Sequence, residues 1–172
     1  DSTVAVPAYQ KITGLGFTAA DITCNDPKTD LTVAVTGGYP IVKYEIVSPI
    51  ADAVDNGANA TFLALSPGTY LFKVTDANGC SFEDSHTIAP VTNITVSGQL
   101  INDVSCNDTN PVKNGAVTFT VENVKVAGAF TYSLLQGSGG TIVKSANAVT
   151  LTDLVADTYE IEVVDLTTGC KA

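Results

Sequence analysis

Apolar and polar residues alternate along short stretches of this chain, and turn residues separate the stretches. The clearest stretch runs from Tyr70 to Thr75, where Tyr70, Phe72 and Val74 share one face and the residues between them share the other. A period of two residues is that of a β-strand with one buried face. A Pro-Gly pair precedes this stretch and an Asn-Gly pair follows it, as expected for turns. The pattern therefore predicts a strand between two turns, with Tyr70 in the core.

The same unit occurs twice in the chain. Leu65–Cys80 recurs as Leu154–Cys170, with the Leu, the Thr-Tyr pair, the Val, the Asp and the Gly-Cys ending in the same order. Cys24-Asn25-Asp26 likewise recurs as Cys106-Asn107-Asp108. The second Tyr, Tyr159, is therefore predicted to be buried like Tyr70. Further strands are predicted at Leu31–Thr36, Val42–Ile46, Thr61–Leu65, Ile94–Val96, Ala116–Val121, Phe130–Leu134, Thr141–Lys144 and Ala148–Leu151.

Many short strands without any helical period predict an all-β protein. We interpret the duplication as two tandem immunoglobulin-like β-sandwich domains, one over residues 1–91 and one over residues 92–172. The first 20 residues are predicted to hold a linker and the first strand. The second domain has only two residues after its last Cys, whereas the first continues to Pro90, so we expect the native chain to continue further.

The charge balance excludes some classes of partner. The net charge is −10, from 18 acidic residues against eight Lys and no Arg. No basic patch for a phosphate backbone can be assembled from so few cations, so no nucleic acid partner is expected. No apolar run approaches the 18 or so residues of a membrane helix, so no membrane insertion is expected.

The four cysteines lack the CxxC spacing and the neighbouring His of a zinc site. An even number of cysteines, one early and one late in each repeat, predicts two disulfides. Of three connectivities, Cys24–Cys80 with Cys106–Cys170 is favoured, because each repeat would then close on its own. Disulfides indicate an extracellular location, in secretion or at the cell surface.

Calcium is the one cofactor that the sequence raises. Asp26, Asp30 and Asp108 lie in polar loops and offer the hard oxygen ligands that Ca²⁺ prefers. Neither EF-hand spacing nor a nonapeptide repeat accompanies them, and Asp side chains that cap turns explain the same residues. No other cofactor is predicted.

Gly37–Pro40, Tyr44 and the ending Gly68–Cys80 resemble the SprB-type repeat of Bacteroidetes surface proteins. That family has an early Cys, a Gly-Gly-x-Pro turn, an aromatic strand and a Gly-x-Tyr…Val-x-Asp-x-x-Gly-Cys ending. The second repeat departs from it, because residues 122–128 replace the Gly-Gly-x-Pro turn and Asp157 stands in place of Gly. The resemblance implies a module of a long cell-surface adhesin used in gliding motility, with neighbouring repeats of the same chain as its partners. It implies no catalytic residue.

Three functional classes are compared, of which two are non-catalytic and one is enzymatic. We expect a non-catalytic spacer or adhesion module, and the alternative is a carbohydrate-binding module that contacts surface polysaccharide. Tyr9 and Tyr39 are the aromatic residues nominated for exposure, since the other Tyr residues mostly fall on predicted core faces. An enzyme is not expected. His86 is the only His, no G-x-S-x-G motif accompanies it, and it is predicted as an exposed strand residue.

Overall fold

The computed structural model describes residues 3–5, 8–107, 110–111 and 113–172. Strands account for 56% of the chain, and no α-helix occurs in these residues, which confirms the all-β prediction. The chain forms two compact units. Unit 1 comprises Asp1–Ile22 and Asp26–Pro90, and unit 2 comprises Thr23–Asn25 and Val91–Ala172.

Unit 1 consists of two antiparallel sheets and a short 3-10 helix, Ile50–Asp52. Its strands are β1 (Ile12–Ala19), β2 (Thr29–Gly37), β3 (Ile41–Ser48), β4 (Val54–Asp55), β5 (Thr61–Leu65), β6 (Gly68–Asp76) and β7 (Ser81–Ile88). One sheet has the order β1-β2-β5 and the other has the order β4-β3-β6-β7. Strand alternation and turn residues located β2, β3, β5 and β6 in the sequence, whereas β1 was expected only within the first 20 residues and no range was predicted for β4, β7 or the 3-10 helix.

The core of unit 1 lies between the two sheets. Tyr70, Phe72 and Val74 of β6 are all buried, as the alternation predicted. The Phe72 ring lies 5.1 Å from the Phe17 ring of β1 and 5.2 Å from the Phe62 ring of β5. Because β1 and β5 belong to the opposite sheet, these contacts give unit 1 a sandwich-like core.

Unit 2 repeats this plan with changes at its edges. Its strands are β8 (Thr95–Asn102), β9 (Cys106–Asn107), β10 (Asn110–Pro111), β11 (Gly115–Glu122), β12 (Phe130–Gln136), β13 (Thr141–Lys144), β14 (Ala148–Leu154) and β15 (Glu160–Asp165). One sheet has the order β13-β14-β11-β8, a second pairs β12 with β15, and β9 and β10 form a small ribbon.

The core of unit 2 also draws on both sheets. Phe119 and Leu151 come from one sheet, and Phe130 and Val163 come from the other. The prediction that Tyr159 is buried like Tyr70 is wrong in degree. Tyr159 is only half-buried, although it packs against this core.

The disulfide arrangement differs from the predicted one. The structure joins Cys24 to Cys170, with their Cα atoms 5.0 Å apart, so the predicted pairs Cys24–Cys80 and Cys106–Cys170 are wrong. The prediction assumed that each repeat closes on itself. Instead, Thr23–Asn25 belongs to unit 2, where the Cys24 backbone N–H donates to the Thr168 carbonyl oxygen at 2.9 Å. Cys80 is a free, half-buried thiol, and the side chain of Cys106 lies outside the described part of the chain.

Candidate functional site

A buried carboxylate ends the β6 strand of unit 1. Asp76 is 1% exposed. Its Oδ1 atom accepts hydrogen bonds from the backbone N–H groups of Asn78 and Cys80, at 2.9 and 3.0 Å. Its Oδ2 atom accepts one from the Tyr39 N–H at 3.4 Å. The carboxylate therefore holds its own turn and the Gly37–Pro40 loop together.

Unit 2 places Asp165 in the same role at the end of β15. Asp165 is fully buried. Its Oδ1 atom accepts hydrogen bonds from the Thr167 and Thr168 N–H groups, at 2.7 and 3.3 Å. Its Oδ2 atom accepts one from the Lys125 N–H at 2.9 Å. Lys125 lies within residues 122–128, which replace the Gly-Gly-x-Pro turn of the first repeat, so the carboxylate connects equivalent loops in both units.

Electrostatics show that the Asp165 carboxylate is held in its charged form. Burial acts to raise the pKa of Asp165, but the N–H donors of Lys125, Thr167 and Thr168 outweigh burial and lower it below its usual value. Each of the two buried carboxylates uses three of its roughly four lone pairs to accept backbone hydrogen bonds. Both carboxylates are therefore structural, as the prediction that turn Asp residues cap backbone groups implies.

The sequence analysis did not predict that Asp76 and Asp165 are buried. Asp76 and Asp165 each stand just before a turn in the sequence, yet each lies on the core face of its strand, two residues after a buried Val. The available signal was that alternation itself, because Asp76 continues the series Tyr70, Phe72 and Val74.

The late cysteine of each repeat sits next to this carboxylate turn, but in a different environment. The backbone N–H of Asp76 donates to the Cys80 carbonyl at 2.9 Å, and that of Asp165 donates to the Cys170 carbonyl at the same distance. A Cβ atom at Gly169 would collide with the Asn25 side chain, whereas a Cβ atom at Gly79 would meet nothing within 4 Å. The turn in unit 2 is therefore covered by the segment that carries Cys24, and the turn in unit 1 is open.

The two nominated tyrosines lie close together beside the open turn of unit 1. Tyr9 is 55% exposed, Tyr39 is half-buried, and their ring centroids are 6.4 Å apart with a tilt of 37°. A hydrogen bond with the Cys80 thiol, supported by partial desolvation, raises the pKa of Tyr9 to about 12. The structure thus brings Tyr9, Tyr39 and Cys80 to one aromatic surface patch.

Of the calcium candidates, Asp26 and Asp30 are exposed. Asp26 and Asp30 both line a shallow cavity of about 330 Å³, and Asp30 Oδ1 accepts a hydrogen bond from the Ala64 N–H at 2.8 Å. Asp108 lies outside the described residues. In the part of the chain that the structure describes, no cluster of three His, Cys, Asp or Glu residues has the geometry to hold a metal ion. Calcium binding stays a prediction.

His86 is not the exposed residue that the sequence predicted. It is half-buried, and its ring stacks on Phe17 at 4.9 Å with an interplanar angle of 25°. This contact explains the burial, since β7 lies across the edge of the sandwich next to β1. His86 therefore contributes to packing.

Compared with known proteins, the chain matches no family model, no curated protein and no solved structure. Among the described residues, no helix has the length and apolar character needed to cross a membrane.

Proposed function

We propose that this chain is a non-catalytic tandem module of a large cell-surface adhesin, which serves as a spacer or stalk in surface attachment or gliding motility. The observation that carries the proposal is the Cys24–Cys170 bridge. It encloses 146 residue steps and ties the early Cys of the first repeat to the late Cys of the second. When the chain is pulled by its two ends, tension passes through the bridge instead of through the enclosed strands. The enclosed residues are therefore protected from unfolding under load, as a module of a protein that attaches a cell to a surface requires.

The proposal includes an immunoglobulin-like fold for each unit, and a tyrosine in each unit supports it. The Tyr70 hydroxyl donates to the Ser66 carbonyl at 2.9 Å, and the Tyr159 hydroxyl donates to the Val155 carbonyl at 3.1 Å. Both Tyr residues lie at or next to the start of a strand and bond the backbone four residues upstream. This is the arrangement of the tyrosine corner found in immunoglobulin-like sandwiches.

Chemical composition supports an extracellular setting for the proposed stalk. Disulfides persist in oxidising compartments and are rare in the cytosol. A net charge of −10 keeps such a surface soluble and repels other copies. The resemblance of Gly37–Pro40 and Gly68–Cys80 to the SprB-type repeat supports the same assignment, with neighbouring repeats of the same chain as partners.

Single-molecule extension of the whole chain tests the stalk proposal. With the bridge intact, the residues between Cys24 and Cys170 should add no length as the chain is stretched. After reduction they should add roughly 500 Å, since 146 residue steps separate the two cysteines and an extended chain gains about 3.4 Å per residue.

Two variants serve as matched controls for the extension experiment. Cys24→Ser should extend like the reduced protein without any reductant, and Cys80→Ser should extend like the unmodified protein. Equal extension of the native chain with and without reductant would contradict the proposal, because the bridge would then carry no tension.

A carbohydrate-binding module is the second candidate, and the Tyr9–Tyr39 patch favours it. Aromatic rings at a surface stack on the apolar faces of sugar rings. A glycan array should show binding to a polysaccharide that Tyr9→Ala weakens at least tenfold. A spacer should bind nothing on the array, so an empty array removes this candidate and leaves the stalk proposal standing.

A further inference from the structure

The segment that follows β3 in unit 1 covers the outer edge of that strand. β4 pairs with β3 in antiparallel register, with Val54 opposite Ile46. Beyond β4, the Tyr44 N–H donates to the Gly57 carbonyl at 2.7 Å, and the Asn56 N–H donates to the Tyr44 carbonyl at 2.9 Å. The backbone of β3 is therefore bonded to β6 on one side and to its own following segment on the other.

The corresponding segment of unit 2 takes a different path. In β12, Tyr132 is opposite Val163 of β15. In β3, Tyr44 is opposite Val74 of β6, so β12 is the counterpart of β3. The next strand after β12 is β13, which pairs with β14 in the other sheet, and within the described residues β12 pairs with β15 alone. The outer edge of β12, here called the β12 edge, is thus left open by the path of residues 137–144, which all lie within the chain.

Alternate residues of β12 direct their backbone groups to the β12 edge. The Leu166 N–H donates to the Ala129 carbonyl at 2.9 Å, across the pairing of β12 with β15. Because this pattern alternates along an antiparallel pair, Ser133 also bonds β15, whereas the N–H and C=O groups of Tyr132 and Leu134 point away from it. Tyr132 therefore presents at the β12 edge the same donor and acceptor that its counterpart in unit 1 uses.

A lysine shows that the β12 edge accepts hydrogen-bond donors. Phe130 belongs to the same alternating set as Tyr132 and Leu134, and its carbonyl oxygen accepts a hydrogen bond from Lys144 Nζ. Lys144 Nζ also lies 4.3 Å from the centroid of the Phe130 ring. In the described part of the chain, no backbone group outside β12 bonds the open side of Tyr132 or Leu134. These two residues are the free part of the β12 edge.

Charges on the outer face of the sheet indicate which strand would fit. In unit 1, Lys73, Glu45 and Asp55 lie side by side on β6, β3 and β4. The residues of unit 2 that match the first two are Glu162 and Ser133. Glu162 carries the opposite charge to Lys73, and Ser133 is small and uncharged. The position that Asp55 occupies in unit 1 therefore favours Lys or Arg in a strand that binds unit 2.

We propose that the β12 edge binds an extended segment of a different protein, in antiparallel register. The segment has an apolar residue opposite Leu134, a Lys or Arg opposite Ser133, and an Asn-Gly pair that bonds the Tyr132 backbone. Backbone hydrogen bonds to an exposed strand edge provide affinity, and the side chains provide selectivity. Glu162 pairs with Lys171 from the other side of β15, at 3.5 Å, and such an exposed pair leaves it able to accept a second cation. This interaction surface is independent of the proposed stalk function.

The composition of the chain indicates that the segment comes from another protein. The chain has three Asn-Gly pairs, at residues 56–57, 78–79 and 114–115. The first covers β3, the second closes the turn between β6 and β7, and in the third Gly115 pairs with Leu154 of β14. All three are thus engaged in their own units, and a net charge of −10 disfavours docking of a second copy.

Peptide binding to the whole chain, followed by nuclear magnetic resonance, tests the proposal. The probe is the hexapeptide Ala-Val-Lys-Asn-Gly-Ala, which has the sequence of residues 53–58 except for Lys in place of Asp55. Binding should be saturable. At saturation, hydrogen exchange at the Tyr132 amide should slow at least tenfold, whereas exchange at the Ser133 amide, which bonds β15, should not change. The matched control is Ala-Val-Asp-Asn-Gly-Ala, the sequence of residues 53–58 itself, which should bind at least fivefold more weakly.

Two protein variants locate the binding to the β12 edge. Glu162→Lys restores the charge that unit 1 has at this place, so it should reverse the preference and bind the Asp peptide better than the Lys peptide. Glu122→Lys makes the same change of charge at an exposed residue of the other sheet and should keep the native preference. An unchanged preference in Glu162→Lys, equal binding of the two peptides, or no saturable binding would each overturn the proposal. Slower exchange at the Tyr132 amide when the protein alone is concentrated would also overturn it, because a second copy would then occupy the edge.

Discussion

At the scale of single residues, the fold depends on two carboxylates that look like ordinary turn residues in the sequence. Asp76 and Asp165 are each buried and accept three backbone hydrogen bonds. Removal of such an acceptor leaves several buried N–H groups without a partner, which costs more than the hydrogen bonds themselves contribute. These residues therefore specify the loop geometry at one end of each unit.

Asp165→Asn should lower the free energy of unfolding of unit 2 by about 2 kcal/mol, because a neutral amide accepts from the three donors less strongly than a carboxylate. Asp157→Asn is the matched control, since Asp157 is exposed and accepts a hydrogen bond from the N–H of its neighbour Thr158. Urea denaturation followed by circular dichroism measures both. Equal stability of the two variants would show that the buried carboxylate contributes nothing.

The pH dependence of the same site follows from the lowered pKa of Asp165. A carboxyl whose pKa is lower in the folded state stabilises the fold above its unfolded pKa, near 4, and loses that contribution as pH falls through the folded pKa. The native chain should therefore lose stability below about pH 4, and Asp165→Asn should lose less over the same range.

The two equivalent tyrosines should differ in their effect on stability. Tyr70 is 3% exposed and Tyr159 is only half-buried. Tyr70→Ala should cost about 3–5 kcal/mol, as for other large aromatic residues removed from a core. Tyr159→Ala should cost less, about 1–3 kcal/mol, because less of its side chain is removed from solvent in the folded state. Chemical denaturation measures both values, and a larger loss for Tyr159→Ala would contradict the burial described here.

At the scale of elements, alternation of apolar residues located most strands because each has one buried face. Prediction placed β13 at Thr141–Lys144, where the structure has it, and placed β2 and β11 within two residues at each end. Two-residue strands such as β4 are too short to show a period and were missed. The spacing of the cysteines did not predict that the segment with Cys24 belongs to unit 2. A disulfide partner depends on tertiary contacts, which local spacing does not encode.

The turns that follow β6 and β15 should differ in thiol reactivity. Cys80 is a free thiol beside an open turn, whereas Cys24 and Cys170 are oxidised. Iodoacetamide without reductant should therefore modify Cys80 and leave Cys24 and Cys170 unmodified. Digestion after Glu, which cuts between Cys80 and Cys106, and mass spectrometry assign the label. Unmodified Cys80 in the native protein together with labelled Cys24 would contradict this prediction.

At the scale of the whole molecule, the Cys24–Cys170 disulfide determines how the chain responds to tension. The bridge separates its cysteines by 146 positions. In the chain-entropy model, closure of a loop of that length stabilises the native state by about 5 kcal/mol. A pair of self-closing repeats would instead hold two shorter loops and would leave the connection between repeats exposed to tension. The proposed stalk function therefore depends on which cysteines are joined.

Peptide mapping without reductant tests that central claim most directly. Trypsin cuts after Lys, so it places Cys24 in the peptide over residues 12–28 and Cys170 in the peptide over residues 145–171, while Cys80 and Cys106 share the peptide over residues 74–113. We expect a covalently linked species of peptides 12–28 and 145–171 that disappears on reduction. Recovery of peptide 12–28 linked to peptide 74–113 would contradict the Cys24–Cys170 bridge and the stalk function proposed from it.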